Sequence, residues 1–196
     1  MCYPNSDKES AAPATEPITT AEAKTHLRIS HTDDDTYIDT LVKTARLTLE
    51  NIVRRAFVTQ TRISRYDAFP DVFEHQRAPL VSVTTLTYTD TNGDSQTLGA
   101  SFYTVDANTD PGRIVPAYGT FWPSTRDIPN AVVLTYVCGY GAASAVPETV
   151  KTCLKRLVSH WYDNREPVVI GTIFGREAMP WDVGNLIAAF DTGVWA

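Results

Sequence analysis

Cysteine and positive charge are both scarce in this chain of 196 residues, with three Cys and 17 Lys and Arg against 23 Asp and Glu. Cys2, Cys138 and Cys153 are odd in number, widely spaced and contain no CxxC pair. That pattern excludes a disulfide framework and a zinc site of ordinary spacing, and it fits a reducing compartment. A net charge of -6 has the wrong sign for a protein that grips phosphate backbones through counterion release. It still suits a surface past which DNA slides, because like charge suppresses non-specific binding. No apolar run approaches the roughly 20 residues that span a bilayer. Met1 to Pro17 lacks the apolar core of a signal peptide, so the expectation is a soluble protein outside the general secretory route. What is present, 43% hydrophobic and 10% aromatic residues, is enough to bury a core.

Residues 1–17 place Pro4, Pro13 and Pro17 among small polar side chains, too little apolar surface to offset the entropy of ordering, and they are expected to be a flexible tail. Order begins at Thr19-Thr20-Ala21-Glu22, a capping-box pattern that predicts a short helix to about Ile29. A second helix starts among Asp33, Asp34 and Asp35, where acids suit the helix dipole. Its apolar positions Ile38, Leu41, Val42, Ala45, Leu49, Ile52, Val53 and Ala56 recur at helical spacing as one stripe, facing a core or a neighbour.

From Phe57 the period changes to two. Phe57 to Ile63, Val81 to Tyr88, Phe102 to Val105, Arg113 to Val115 and Ala131 to Tyr136 predict strands of an antiparallel sheet. Asn92-Gly93, which allows two consecutive positive φ angles, folds Ser95 to Leu98 back as a hairpin. Pro147 then opens a long helix to about Asn164, with Val150, Cys153, Leu154, Leu157, Val158 and Trp161 as its stripe and Pro167 as its stop. Asp182 to Phe190 predicts a short final helix. The fold class is α+β: a helical scaffold of two N-terminal helices, a long helix after the sheet and a short C-terminal helix, with an antiparallel β insertion. The divisions are a tail at 1–17, a helical domain at 18–166 with its β insertion at about 57–138, and a C-terminal arm at 167–196.

No chemistry-bearing constellation stands out. His31, Asp33 and Asp35 are explained by a solvated helix start. Asp90 to Asp94 imitates the opening of a calcium loop, but its glycine falls at the fourth position and no glutamate closes it. Gly139-Tyr140-Gly141 resembles a phosphate loop only until Ser144 takes the third glycine's place; a strand exit with unusual φ angles accounts for it. There is no GxSxG motif, Cys138 and Cys153 lie on apolar faces, and His160 has no identifiable partner. The expectation is a non-enzyme that needs no cofactor and no metal. Lys151, Lys155 and Arg156 form a basic helix edge, read either as a solvated face or as an approach to DNA in a channel.

The order of several segments resembles the phage head-tail connector (adaptor) family. Ile18 to Ile29 with Asp33-Asp34-Asp35 and Ile38 resembles its opening, and Arg55 to Thr61 its helix-to-strand junction. Pro79 to Val83 with Tyr88 and Asn92-Gly93 is similar to its central hairpin. Gly139-Tyr140-Gly141, Val146-Pro147-Glu148 and His160 to Glu166 are similar to its closing helix. The resemblance runs from Ile18 to about Phe190. It implies a homo-oligomeric ring, usually of twelve copies, in the virion neck of a long-tailed phage or gene transfer agent. Such a ring docks under the portal, extends the DNA channel without sequence-specific binding, and receives the stopper or tail. Another neck or tail-completion protein is the alternative, and a carbohydrate-binding or hydrolase module a more distant one.

Within the ring reading, the helix-two stripe of Ile38, Leu41, Val42 and Leu49 is a candidate subunit contact, since heterologous contacts that close make a ring. The arm carries Trp181, Val183, Leu186, Ile187, Phe190 and Trp195, aromatic and aliphatic anchors of the kind that dominate interfaces, as candidate portal-binding residues.

Overall fold

The two hydrophobic periods sort the chain into two units that interleave along the sequence. The computed structural model describes residues 4–74 and 77–165. Met1–Ala14 and Arg54–Tyr140 form one unit, and Thr15–Val53 with Gly141–Ala196 forms the other.

Among the described residues the first unit has eight strands: β1 (Ser6–Ala11), β2 (Gln60–Tyr66), β3 (Phe73–Glu74), β4 (Leu80–Thr89), β5 (Ser95–Thr97), β6 (Tyr103–Asp106), β7 (Arg113–Pro116) and β8 (Val132–Cys138). They make two antiparallel sheets where one was expected, in the orders β1-β2-β8-β4-β5 and β3-β7-β6. β8 is central, pairing with β2 from Gln60↔Cys138 to Tyr66↔Val132 and with β4 from Leu80↔Cys138 to Tyr88↔Val132. Strict alternation along β8 buries Val132, Leu134, Tyr136 and Cys138, which join Tyr66, Phe73, Leu80, Leu86 and Ile114 in the core. Each such side chain contributes about 1.5–3 kcal/mol by leaving water. Trp122 closes one edge of this core, stacked on Phe69 at 5.0 Å and edge-on to Phe73 at 5.4 Å.

The predicted β4–β5 hairpin is present, but its turn differs from the expected one. Only Gly93 takes a positive φ, 100°. Asp90 does the rest: its Oδ1 accepts from the backbone N–H groups of Asn92, Gly93 and Asp94 at 2.9 to 3.0 Å. The hydrogen bond from the Gln96 amide, followed by these backbone donors, holds the Asp90 carboxyl below its ordinary value. Gly139 also has a physical reason. Its φ is 125° and a Cβ there would lie 2.6 Å from the Val58 carbonyl oxygen, so the segment is a tight strand exit as expected.

In the second unit, α1 (Thr20–Leu27), α2 (Asp35–Val53) and α3 (Glu148–Asp163) supply the described helices. The capping box forms as the sequence predicts: the Glu22 N–H donates to Thr19 Oγ1 at 3.1 Å, and the Thr19 N–H donates to Glu22 Oε2 at 2.7 Å. α3 buries Val150, Cys153, Leu154, Leu157 and Val158, with Pro147 as its N-cap, one place before the expected helical position. Tyr162 on α3 donates to Asp34, just ahead of α2, at 2.5 Å, while the Arg165 guanidinium lies 4.8 Å from the centre of the Tyr37 ring.

Three further expectations need correction. Residues 6–11 are a strand and not a tail, for a reason given below. Ile52 is exposed and Ala56 belongs to the β core, so the α2 stripe is shorter than its periodicity implied. Phe57 and Val58 are buried, yet the strand starts only at Gln60. The predicted short C-terminal helix lies outside the described residues.

Candidate assembly surfaces

The chain's most elaborate polar cluster forms around Asp7 on β1. The Asp7 side chain is 5% exposed and takes the Arg62 Nε–H at 2.8 Å, the Ser64 hydroxyl at 3.0 Å and the Tyr136 hydroxyl at 2.9 Å. Arg62 adds a bond to the Asp7 carbonyl oxygen at 3.2 Å, and Arg77 Nε lies 3.8 Å from the carboxylate. Burial works against the Arg62 charge, but the Asp7 carboxylate and its neighbours outweigh that and raise its pKa. The Tyr136 phenol is pushed well above its ordinary value by burial first and then by Asp7. This arrangement anchors a strand. The Asp7 oxygens face donors fixed on β2 and β8, so the cluster fastens β1 to the sheet.

A second such cluster belongs to the helical unit. The Arg46 guanidinium, 1% exposed, donates from Nε to Glu16 at 2.7 Å and from Nη1 to Glu50 at 3.0 Å. It ties the segment before α1 to the middle of α2. The first cluster was not visible from spacing, because Asp7, Arg62 and Tyr136 are far apart in sequence; in the second, only the Arg46–Glu50 pair has helical i,i+4 spacing, and Glu16 is 30 positions from Arg46. The alternation of β2, which points Arg62 and Ser64 to the same side as Tyr66, was the available signal.

The candidate subunit-contact residues Ile38, Leu41, Val42 and Leu49 are all buried within the single chain, at 0% to 9% exposure. That corrects the expectation. The stripe is consumed by the chain's own helical core, and the exposed large apolar residues of α2 are instead Leu47 and Ile52. The basic edge is also reduced. Lys151 is buried, with Nζ 2.8 Å from Glu148 Oε1, so only the half-buried Lys155 and the exposed Arg156 keep an outward aspect. The candidate portal-binding residues Trp181, Val183, Leu186, Ile187, Phe190 and Trp195 lie outside the described residues.

Among the described residues no group of three His, Cys, Asp or Glu side chains is arranged to hold a metal ion. Lys24 meets Asp35 at 2.6 Å, and His31 stands 4.0 Å from Asp33. Cys138 and Cys153 are both buried, and the Cys138 thiol lies 3.9 Å from the Gln60 carbonyl oxygen. What the surface does present is apolar: Phe102, Tyr118 and Phe121 in the β unit are exposed, the last two almost fully. Periodicity gave no hint of Tyr118 and Phe121, because they sit in a loop between Pro116 and Pro123.

Comparison with known proteins bears on these surfaces. Residues 17–103 match the family described as phage gp6-like head-tail connector protein. Among curated proteins the sequence has no match. Three solved structures share the fold along 95% of both chains. One is described as the neck of an empty GTA particle computed with C6 symmetry, with a TM-score of 0.78 and 21% identity. Another is the virion of a native gene transfer agent (GTA) particle, at 0.75 and 21%. A third is the neck of a native GTA particle computed with C12 symmetry, at 0.73 and 20%. The family match covers less than half of the chain, from just before α1 to the start of β6.

Proposed function

We propose that this protein is a structural connector subunit of the neck of a tailed phage or phage-like particle. Its copies form a ring, most simply of twelve, beneath the portal. That ring extends the DNA channel and offers an attachment site to the stopper or tail. The observation that carries this reading is the agreement of two likenesses: a connector-family sequence match across α1, α2 and the first strands, and a fold shared over 95% of the chain with neck structures computed with C6 and C12 symmetry. The role is architectural and not enzymatic, in keeping with a family named for connection.

A net charge of -6 suits a wall past which DNA moves without sticking. Lys155 and Arg156 are the remaining candidates for a basic touch on that DNA. The arm residues Trp181, Val183, Leu186, Ile187, Phe190 and Trp195 engage the portal, by the logic that buried aromatic and aliphatic anchors carry interface energy.

The deciding experiment mixes the purified chain with portal rings, or with particles lacking it, and images the product by electron microscopy. Density in a ring beneath the portal is the expected result. Binding only at the tail side would move the assignment to a stopper or tail-completion protein. Removing residues 181–196 should abolish portal docking, and unchanged docking would end the arm assignment.

A further inference from the structure

The helical unit keeps hold of the chain past the end of its own core. Val158 is the last buried residue of α3, and among the described residues every later one is half-buried or exposed. Apolar burial no longer fixes the helix there, and an unsupported helix end frays. Instead, this end is tied to the start of α2. Tyr162 donates to one Asp34 oxygen at 2.5 Å, and Arg165 Nη2 lies 3.5 Å from the other. The Arg165 guanidinium covers two rings at once, 4.8 Å from the centre of Tyr37 and 5.3 Å from that of Tyr162. The ring centres are 6.0 Å apart. The Asn164 N–H and its side-chain amide both donate to the His160 carbonyl, at 3.1 and 2.9 Å, and close the helix.

Stability is a poor explanation for this cluster. Arg165 is 58% exposed, and exposed ion pairs and cation–π contacts add little to folding. What the cluster accomplishes is positional. The Asp34 carbonyl accepts the Ile38 N–H at 2.9 Å, so Asp34 and Tyr37 are set by the first turn of α2, a helix whose apolar stripe is in the core. Tyr162 and Arg165 bring the end of α3 to that fixed place. The Tyr162 hydrogen bond, helped by the charges of Arg165 and His31, holds the Asp34 carboxyl below its ordinary value despite some desolvation. The acceptor therefore stays charged at neutral pH. Two residues beyond Arg165 the sequence enters the arm that carries Trp181, Phe190 and Trp195.

We infer that Asp34, Tyr37, Tyr162 and Arg165 form a latch that fixes where the chain leaves α3, which makes Tyr37 and Arg165 positioning residues for engagement of the portal by the arm. The inference rests on the arm reading above. An anchor presented from a fixed point loses less freedom on docking than one presented from a frayed helix end, so opening the latch weakens docking without touching the anchors.

The test compares the full wild-type chain with Tyr37→Leu/Arg165→Gln, which removes the ring and the cation, and with Tyr37→Phe, which keeps a ring under the guanidinium. In the double variant, hydrogen exchange read by mass spectrometry should quicken at residues 161–165 and stay unchanged at 150–158, with the melting temperature close to that of the wild type. Its affinity for portal rings should fall by about tenfold. Tyr37→Phe should match the wild type in all three measurements. Unchanged exchange at 161–165 would mean that no latch exists, and a lowered melting temperature with faster exchange at 150–158 would make the cluster part of the core; either result overturns the inference. A double variant that frays yet docks as tightly as the wild type also overturns it, while the arm reading stands if removing residues 181–196 abolishes docking. If that removal changes nothing, or the wild type does not dock, the arm reading falls and the inference with it.

Discussion

Asp7 shows how a polar residue in an unpromising segment fixes structure. Nothing apolar in Ser6 to Ala11 would hold a strand, and the Asp7 carboxylate does so by meeting Arg62, Ser64 and Tyr136 in a site where both charged partners are at most 8% exposed. Removing one partner of a buried pair strands the other, at about 3–5 kcal/mol. Asp7→Ala should therefore lower the urea unfolding free energy by that order. The double variant Asp7→Ala/Arg62→Leu should recover part of the loss, since no buried charge is left unpaired; a strictly additive pair would refute the coupling. Tyr136 makes a separate prediction. Its folded pKa lies well above the ordinary 10.0, chiefly through burial, so its contribution is complete below pH 10.0 and declines as the pH rises beyond that value. Tyr136→Phe should lose about 1 kcal/mol at neutral pH and show a shallower alkaline decline in urea midpoint than the wild type.

Elements made largely from local signals were legible in the sequence. The capping box that starts α1, the α3 stripe and the β4–β5 hairpin all depend on residues within a few positions of one another. Elements that depend on distant partners were not. β1 exists because of residues over 50 positions away, at Arg62 and Ser64. β3, two residues long, exists because Phe73 and Glu74 meet Ile114 and Arg113. Of the candidate site, the α2 apolar stripe was recognised, but periodicity alone does not distinguish a face turned to the core from one turned to a neighbour. The α1 cap also yields a pH prediction. The Thr19 backbone N–H, with the Thr19 hydroxyl and the charges of Lys155 and Lys151 assisting, holds Glu22 below its ordinary 4.5. A depressed carboxyl stabilises the fold above pH 4.5, and that stability is lost as the pH falls through its folded value. Urea midpoints measured from pH 6 downward should fall less steeply for Glu22→Gln than for the wild type. Thr19→Ala, which removes the other half of the box, should cost about 1 kcal/mol at neutral pH.

At the scale of the whole molecule, the described apolar surface is modest and divided. Tyr118 and Phe121 lie in one unit and Leu47 and Ile52 in the other. Burying four such side chains offers about 1.5–3 kcal/mol each, while association costs an estimated 4–15 kcal/mol in lost translational and rotational freedom, before side-chain ordering is counted. Leu47 and Ile52 are exposed only to 39% and 49%, so the gain from such side chains falls below that sum and leaves two free copies little or no surplus. Under the ring reading proposed above, copies bound to a portal would meet at high effective concentration, and a closed ring would add one more contact than an open row. The free chain should thus sediment at micromolar concentration as a monomer of 21.7 kDa, with rings forming only when portal is added. A stable ring of the purified chain alone would show that the contact between copies is far larger than these residues supply.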